Sequence, residues 1–434
     1  MSGTATEPAS SDELAVPALT ADQAEQRLLA REFSGMHFGL ERIHRLLARF
    51  GNPQRRLRTV HIVGTNGKSS TTRMIAAILQ AHGLHTGAYL SPHLSTYRER
   101  IEIDEQPISP ARFASVASRV LALAAELDKQ AAPDDHATQF ELLTVIGFLE
   151  MAEQGVDVGV IEAGLGGRYD ATNVIDSEVQ VLTGVGLEHT RWLGPTIEAI
   201  AREKLDVVRP GKTLVLGAGM HPDAIAVARE RAGEQNARII TAPADTGLEL
   251  AAKGEFQQRN FATAITATRV LLGADFDESA AAAAAVKVRV PGRMQIVGER
   301  PLTVLDGGHN PDGIAAVMRS LPEIFRGKPL VAVVSVLDDK NAAAMLAQLA
   351  PACAAMIITA SHNPRALAPA ELARLAGEAR SNLPVEIVAE PHAALARARE
   401  SAGPGGGVLA TGSIYLVADL LADPENAAKG GSWI

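Results

Sequence analysis

The sequence predicts an α/β protein of two sheet-and-helix domains, and three observations lead there. After "FGNP" (50–53), short β-branched runs alternate with helical stretches, the pattern that buries parallel strands beneath covering helices. A second alternating series follows "VPGRM" (290–294) and runs for about 130 residues, the size of a complete small domain. Between them in importance stands "HIVGTNGKSS" (61–70), which reads as a strand, a tight turn and a helix with a lysine at the bend.

In chain order, the polar and acidic "MSGTATEPASSDELAVPALT" lacks the basic-then-apolar order of a secretory signal and is expected to be a disordered tail over residues 1–20. Residues 21–50 have helical character as far as the breaker. "TVHIVG" is a strand followed by a helix from Ser70, and "TGAYLS" a strand followed by a loop. "DVGVIEAG" and "VQVLTGVG" are short, apolar and bounded by glycine, as buried parallel strands should be. "TIEAIAREKLDVV" is helical and stops at "RPGK"; "TLVLGAG", "ARIITA" and a helix starting near Asn260 complete the first domain, 21–296. The alanine run 280–285 carries no chemistry. With the boundary near 294–300, the second domain (297–434) contains "PLTVLDGG", a helix from Pro311, "PLVAVVSVL", a helix from Asn341, "AAMIITA", a helix from Ala368, "PVEIVA", a helix from His392 and "GVLATG". Its strands resemble a Rossmann-type sheet, although no G-x-G-x-x-G follows any of them.

Composition sets the bounds. A chain of 434 residues is too long for one ordinary core. With 47% hydrophobic and 21% charged residues it is globular, and with 4% aromatics its cores are built from Ala, Val, Leu and Ile. A net charge of −9 argues against a nucleic-acid surface. The single cysteine, Cys353, excludes an internal disulfide and fits a reducing compartment. No apolar run approaches the ~20 residues that span a bilayer, so neither a membrane nor nucleic acid is expected as a partner, and the cytoplasm is the expected location.

The chemistry is concentrated at strand ends. A strict G-x-x-x-x-G-K-[ST] pattern fails, because the residue five before Gly67 is Ile62. A backbone turning at Gly64 and Gly67 nevertheless points successive N–H groups of Thr65, Asn66 and their neighbours into one concavity at a helix N-terminus, which favours phosphate. Lys68 then reaches the β- and γ-phosphates, and Ser69 or Ser70 offers a hydroxyl to Mg²⁺. The bland alternative is a glycine-containing turn with a surface lysine. Glu162, in "IEAGLGGRYDATN" (161–173), ends an apolar strand, where a carboxylate is expensive to bury unless it meets a cation. Its alternative is a cap on the glycine-rich turn. His189, in "GLEHTRWLG" (186–194), follows another strand end and suggests a second, Mn²⁺-tolerant ion position beside an oxygen-ligated one. By spacing alone Lys204 in "AREKLDVV" is a solvated helix lysine. Asp306 and His309 in "DGGHNP" fall at the binding edge of the second sheet, so two polar sheet edges suggest a site closed between domains.

Together these segments resemble the folylpolyglutamate synthase/dihydrofolate synthase family of the Mur ligase superfamily. The resemblance runs from about residue 25 to the end through eleven ordered motifs: "HFGLERI", "HIVGTNGKSS", "SPHL", "TQFELLTVIGF", "IEAGLGGRYDATN", "LEHTRWLGPTIEAIAREK", "QRNFATA", "PGRM", "LDGGHNP", "NPRAL" and "TGSIYLVADLL". It implies an N-terminal P-loop ATPase-type domain of the Mur ligase central kind and a smaller C-terminal Rossmann-like domain. It also implies that Gly64, Thr65, Asn66, Gly67, Lys68, Ser69 and Ser70 hold the ATP phosphates, with Asn260, Arg293 and Asp306 holding the rest of ATP. Two Mg²⁺ sites would use Ser70, Glu162, His189 and Lys204, the last as a carbamate, which overturns the solvated reading of Lys204. Pterin would meet Gly39, Leu40, Ser91, Phe140, Tyr169 and Asp170. Lys68, Lys204 and His309 would serve catalysis.

The implied reaction is ATP-dependent amide ligation. A carboxylate of 7,8-dihydropteroate or of a reduced folate's glutamate tail takes the γ-phosphoryl group, and the amine of L-glutamate displaces phosphate. A monomer is expected. The chain departs from the family at Ser69 (usually Gly), Glu188 (usually Asp) and "EKLDV" (usually "EKAGI"). A folylpolyglutamate synthase without the first activity remains an alternative. A Mur ligase for UDP-linked precursors is set low, because the 63 residues before Gly64 are too few for a nucleotide-sugar domain. A nucleotide-dependent switch would not need the second-domain cluster.

Overall fold

The computed structural model describes residues 18–31, 38–132 and 135–422. The expected tail lies outside the described residues up to position 17. Thr20 belongs instead to the first helix, Ala21–Leu29, whose Gln23 N–H its hydroxyl accepts. The single helical stretch expected over 21–50 is two helices, Ala21–Leu29 and Glu41–Arg49.

The first sheet has eight strands: β1 (Arg58–Val63), β2 (Thr86–Tyr89), β3 (Ile101–Ile103), β4 (Gln106–Pro107), β5 (Val158–Glu162), β6 (Val179–Leu182), β7 (Thr213–Leu216) and β8 (Arg238–Thr241). Their order is β4-β3-β2-β5-β1-β6-β7-β8. From β2 to β8 every pairing is parallel, whereas β3 and β4 turn back antiparallel at one edge. The chain leaves β1 in one direction for β2 and later fills β6 to β8 on the other side, so β1 marks the point where ligands bind in open α/β sheets.

The strands are apolar throughout because helices cover both faces. Val60 and Ile62 of β1, Val158 and Val160 of β5 and Val179 and Val181 of β6 pack beneath the helices Lys68–Ala81 and Glu255–Leu272. The alanine run forms the helix Glu278–Ala285 and buries Ala281, Ala284 and Ala285 in the same cluster. Helices Pro110–Asp128 and Gln139–Gln154 cover part of the opposite face, with Tyr89 and Ile161 beneath them. The helix expected to begin near Asn260 starts at Glu255, which puts Asn260 on its second turn rather than at its end.

The second sheet contains β9 (Gln295–Glu299), β10 (Leu302–Leu305), β11 (Leu330–Val334), β12 (Ala355–Ile358), β13 (Val385–Ile387) and β14 (Gly407–Thr411), in the order β13-β12-β11-β14-β10-β9. The parallel strands are those expected. β9, which periodicity did not reveal, is antiparallel to β10, so the second sheet begins at Gln295, two residues before the expected start. Among the described residues no helix is long and apolar enough to cross a membrane.

Candidate active site

The turn after β1 is shaped by close approaches that only glycine allows. Gly64 has φ +154°, and a Cβ there would lie 2.0 Å from Thr183 Oγ1. Gly67, at φ +85°, caps the helix Lys68–Ala81, and its Cβ would lie 2.6 Å from Asn260 Oδ1. The loop is zipped to the segment after β6. Thr65 N–H donates to Gly184 O (2.9 Å), Gly186 N–H donates to Thr65 Oγ1 (3.0 Å), and Thr183 Oγ1 donates to Asn66 O (2.7 Å). Lys68, half-buried, donates to Thr65 O at 3.4 Å and to no other group among the described residues.

Glu162, 1% exposed, ends β5 beside this loop. Its carboxylate accepts from Ser69 Oγ (2.9 Å) and from the Ser91 N–H (3.1 Å). Burial raises its pKa, while Lys68, Ser91, Ser69 and Arg293 pull the other way. Of the two candidate serines, Ser69 is therefore the one hydrogen-bonded to Glu162. Ser70 is buried and lines the same cleft.

Lys204 lies behind the loop, 4% exposed, with Nζ donating to Gly64 O at 2.8 Å. Burial, with Lys68 nearby, lowers its pKa to about 7. The shift is toward the free amine.

The cleft, of about 360 Å³, is closed from the other side by the second domain. Thr65 to Ser70, Ser91, Glu162, His189 and Asn260 face Arg293, Asp306 and His309 across it. Asp306 holds two turns together, accepting from Met294 N–H (2.9 Å) and Gly308 N–H (2.7 Å). His309 fixes its ring through Nδ1 on Gly307 O (2.9 Å). His189 is exposed on the cleft wall, in the left-handed conformation that starts the short helix Thr190–Leu193. Among the described residues no three His, Cys, Asp or Glu side chains form a ready-made metal cage.

A second cavity of about 390 Å³ adjoins the first, and Gly164 lines both. Phe140, Tyr169 and Asp170 line it, together with Phe38, Leu165 and Leu193. Ser91 belongs to the polar cleft instead, and Gly39 and Leu40 line neither. Tyr169 and the neighbouring Phe38 are about half exposed at the mouth, with ring centroids 5.7 Å apart. His37 of the "HFGL" segment lies outside the described residues.

Periodicity and motif spacing missed the bridges between domains. Asn66 and Asn310 exchange hydrogen bonds of 3.2 and 3.0 Å. Glu188 accepts from Lys340 Nζ (3.0 Å), and His309 Nε2 lies 3.2 Å from the same oxygen. The signal for Lys340 was present: "LDDKN" is a charged cluster just past a strand, the same pattern that singled out Asp306.

Two family models match the chain: the Mur ligase middle domain over residues 62–297, and the Mur ligase, glutamate ligase domain over 292–414. A folylpolyglutamate synthase of Lacticaseibacillus casei is 35% identical over 359 residues, covering 75% of this chain and 82% of the relative. A dihydrofolate synthase/folylpolyglutamate synthase of Mycobacterium tuberculosis is 34% identical over 378 residues, 78% of this chain and 77% of that one. Among solved structures, E. coli FolC in complex with DHPP and ADP superimposes with a TM-score of 0.83 at 28% identity, covering 95% of this chain and 99% of the other.

The domain bridge has a pH signature. Burial alone would raise Glu188, but the hydrogen bond from His309 and the charges of His309, Lys340 and His189 outweigh it and hold the carboxyl well below its usual range. A depressed folded-state pKa stabilises above the unfolded value, roughly 4.3, and that stabilisation is lost as pH falls through the folded one. Lys340→Met should therefore be less stable than wild type at pH 7, with the gap narrowing as pH falls below about 4 toward the depressed folded-state value. Urea unfolding at pH 7 and pH 3 measures it; an equal gap at both would remove the ion pair from the account.

Proposed function

The chain belongs to the Mur ligase family, in its dihydrofolate synthase/folylpolyglutamate synthase branch, and we propose that it joins L-glutamate to 7,8-dihydropteroate and to the glutamate tail of reduced folates. It is an ATP-dependent glutamate ligase. The observation that carries the substrate reading is the junction of a polar, phosphate-type cleft with an apolar cavity at one glycine, Gly164.

ATP would lie with its phosphates over the loop Gly64–Ser70, its remainder toward Asn260, Arg293 and Asp306. The acceptor would occupy the second cavity with Phe140 against its ring and Asp170 accepting from ring N–H groups, its carboxylate emerging near Gly164. That carboxylate attacks the γ-phosphorus; ADP leaves and an acyl phosphate remains. The glutamate amine attacks the acyl carbon, a proton is lost, and phosphate departs as the amide forms. Lys68 and the loop N–H groups meet the charge that shifts among phosphate oxygens, the leading contribution in such transfers. His309, held through Nδ1 on Gly307 O and with Nε2 beside Glu188, lines the cleft, where it would help orient the acyl phosphate or the incoming glutamate. Closure of the two domains keeps water from the acyl phosphate.

Magnesium fits the donors. Glu162 is a buried carboxylate whose cationic neighbours, Lys68 and Arg293, act only through their fields, and a divalent cation would relieve it. Glu162, a serine hydroxyl, His189 and a carbamylated Lys204 would hold up to two ions, which when bound screen the phosphate charge. The hydroxyl nearest Glu162 is that of Ser69, which favours it over Ser70 for this part. A free Lys204 amine is what CO₂ requires: the amine adds to the carbon and releases one proton, leaving a carboxylate on Nζ. Both walls of the cleft come from one chain, which supports a monomer, and the cytoplasm supplies ATP and a reducing setting for Cys353.

Three outcomes are expected. Glutamate-dependent phosphate release should occur with dihydropteroate and with tetrahydrofolate as separate acceptors; turnover with tetrahydrofolate alone would leave a folylpolyglutamate synthase only, and phosphate release without any acceptor would favour the switch. Lys68→Ala should lower kcat on the order of 10²–10³ with the fold intact, and near-normal turnover would remove Lys68 from the phosphate site. Protein equilibrated with carbon-13 bicarbonate should show a carbamate resonance that Lys204→Ala lacks, and short carboxylic acids should partly restore that variant. Absence of the resonance from active wild type would refute the modification.

A further inference from the structure

His61 and Thr172, which the reaction above does not use, form a buried line with Asp170. His61 sits on β1, three residues before Gly64, and is completely buried. Its Nε2 lies 2.8 Å from Thr172 Oγ1, and its Nδ1 has no partner among the described residues. Thr172 Oγ1 in turn donates to Asp170 Oδ1. The direction of this line follows from its end. Asp170 also accepts from Thr172 N–H (3.0 Å) and, on its other oxygen, from Leu165 N–H (2.8 Å), so these partners of the carboxylate are all donors. Thr172 has one proton, and the carboxylate takes it; His61 must then supply Nε2–H to Thr172, leaving Nδ1 as the bare acceptor. The opposite tautomer would bury an unpaired N–H and face two lone pairs at hydrogen-bond distance. Burial lowers the imidazole to about 3, so the ring is neutral and has one proton to place.

We infer that His61 and Thr172 are positioning residues for the acceptor, holding Asp170 as an ionised, acceptor-only group in the apolar cavity so that it selects a flat heterocycle presenting N–H donors. The inference rests on the proposed reading of that cavity as the acceptor pocket. Without the hydroxyl, burial would favour the protonated acid, which raises the pKa of this carboxyl in any case. The same line fixes the acceptor loop to the strand that carries the phosphate loop. The depth at which the acceptor sits is thereby set relative to the γ-phosphate.

The test uses the full chain and steady-state phosphate release at varied dihydropteroate. Thr172→Val should raise the KM for dihydropteroate on the order of ten-fold, with kcat and the KM for ATP within about two-fold of wild type. Thr172→Ser, which keeps the hydroxyl, should bring the acceptor KM back. His61→Leu, which removes the donor to the hydroxyl, should shift it in the same direction by less, and serves if Thr172→Val does not fold. Asp170→Asn separates the two layers of the argument. If it raises the acceptor KM while Thr172→Val and His61→Leu do not, the relay is overturned and the pocket stands. If Asp170→Asn itself leaves the acceptor KM unchanged, the pocket reading falls. Equal losses in kcat and in the KM for both substrates would also overturn the relay, since they mark a general structural defect.

Discussion

The buried carboxylate of Glu162 is the constraint around which the first domain is arranged. It ends β5 beside β1, where the sheet reverses its order, and an unpaired charge there costs several kcal/mol unless it is hydrogen-bonded. Two donors from distant parts of the chain meet it, the Ser69 hydroxyl on the first turn of the helix Lys68–Ala81 and the Ser91 N–H on the loop after β2. That loop is itself held by a carboxylate: Glu99 accepts from the N–H groups of Leu94, Ser95 and Thr96. Arg100 donates to His93 Nδ1 in the same loop. These donors orient Glu162, which has no ion-pair partner among the described residues, an arrangement that suits the proposed role of meeting a cation.

The second domain supplies what the first lacks. Asn66 of the phosphate loop and Asn310 of the "DGGHNP" turn grip each other, and Asn310 also caps the helix Pro311–Phe325 through Gly313 N–H. Opening the cleft would leave two amides to water and loosen a helix cap at once. The Glu188 cluster adds a charged contact at the same seam, buried on both sides. Glu188, where the family resemblance leads one to expect Asp, reaches Lys340 with its carboxylate, and the next residue, His189, lines the cleft.

Much of this was legible in the sequence, and what was not has identifiable causes. The parallel strands stood out because strands buried on both faces become continuous apolar runs. β3, β4 and β9 did not: β4 and β9 are edge strands with partly exposed, polar residues such as Gln106 and Glu299, and β3 is only Ile101–Ile103 with Glu102 at its centre, so none carries such a run. Glycines and strand-end charges located the phosphate loop, Glu162 and Asp306, because those residue types are costly elsewhere. Asn310, Lys340 and the His61–Thr172 line escaped, since their meaning depends on partners more than a hundred residues away. For Gly39 and Leu40 the resemblance pointed to the right segment, yet their neighbour Phe38 is the one that lines the cavity.

The division between a polar cleft and an apolar cavity explains why Gly164 stands where it does. A Cβ at that position would lie 2.6 Å from Phe140 Cζ, against the rigid face of a ring packed beside Tyr89. Any side chain would therefore push Phe140 into the cavity or block the passage. The proposed ligation asks for two unlike surroundings side by side: fixed N–H groups and a lysine for phosphate, and low-polarity walls for a flat ring. Oriented dipoles gain strength where water is excluded, and Phe140 and Leu165 bring apolar surface to the second cavity. In the proposed reaction, a residue without a side chain at this junction would let a carboxylate pass from one environment to the other.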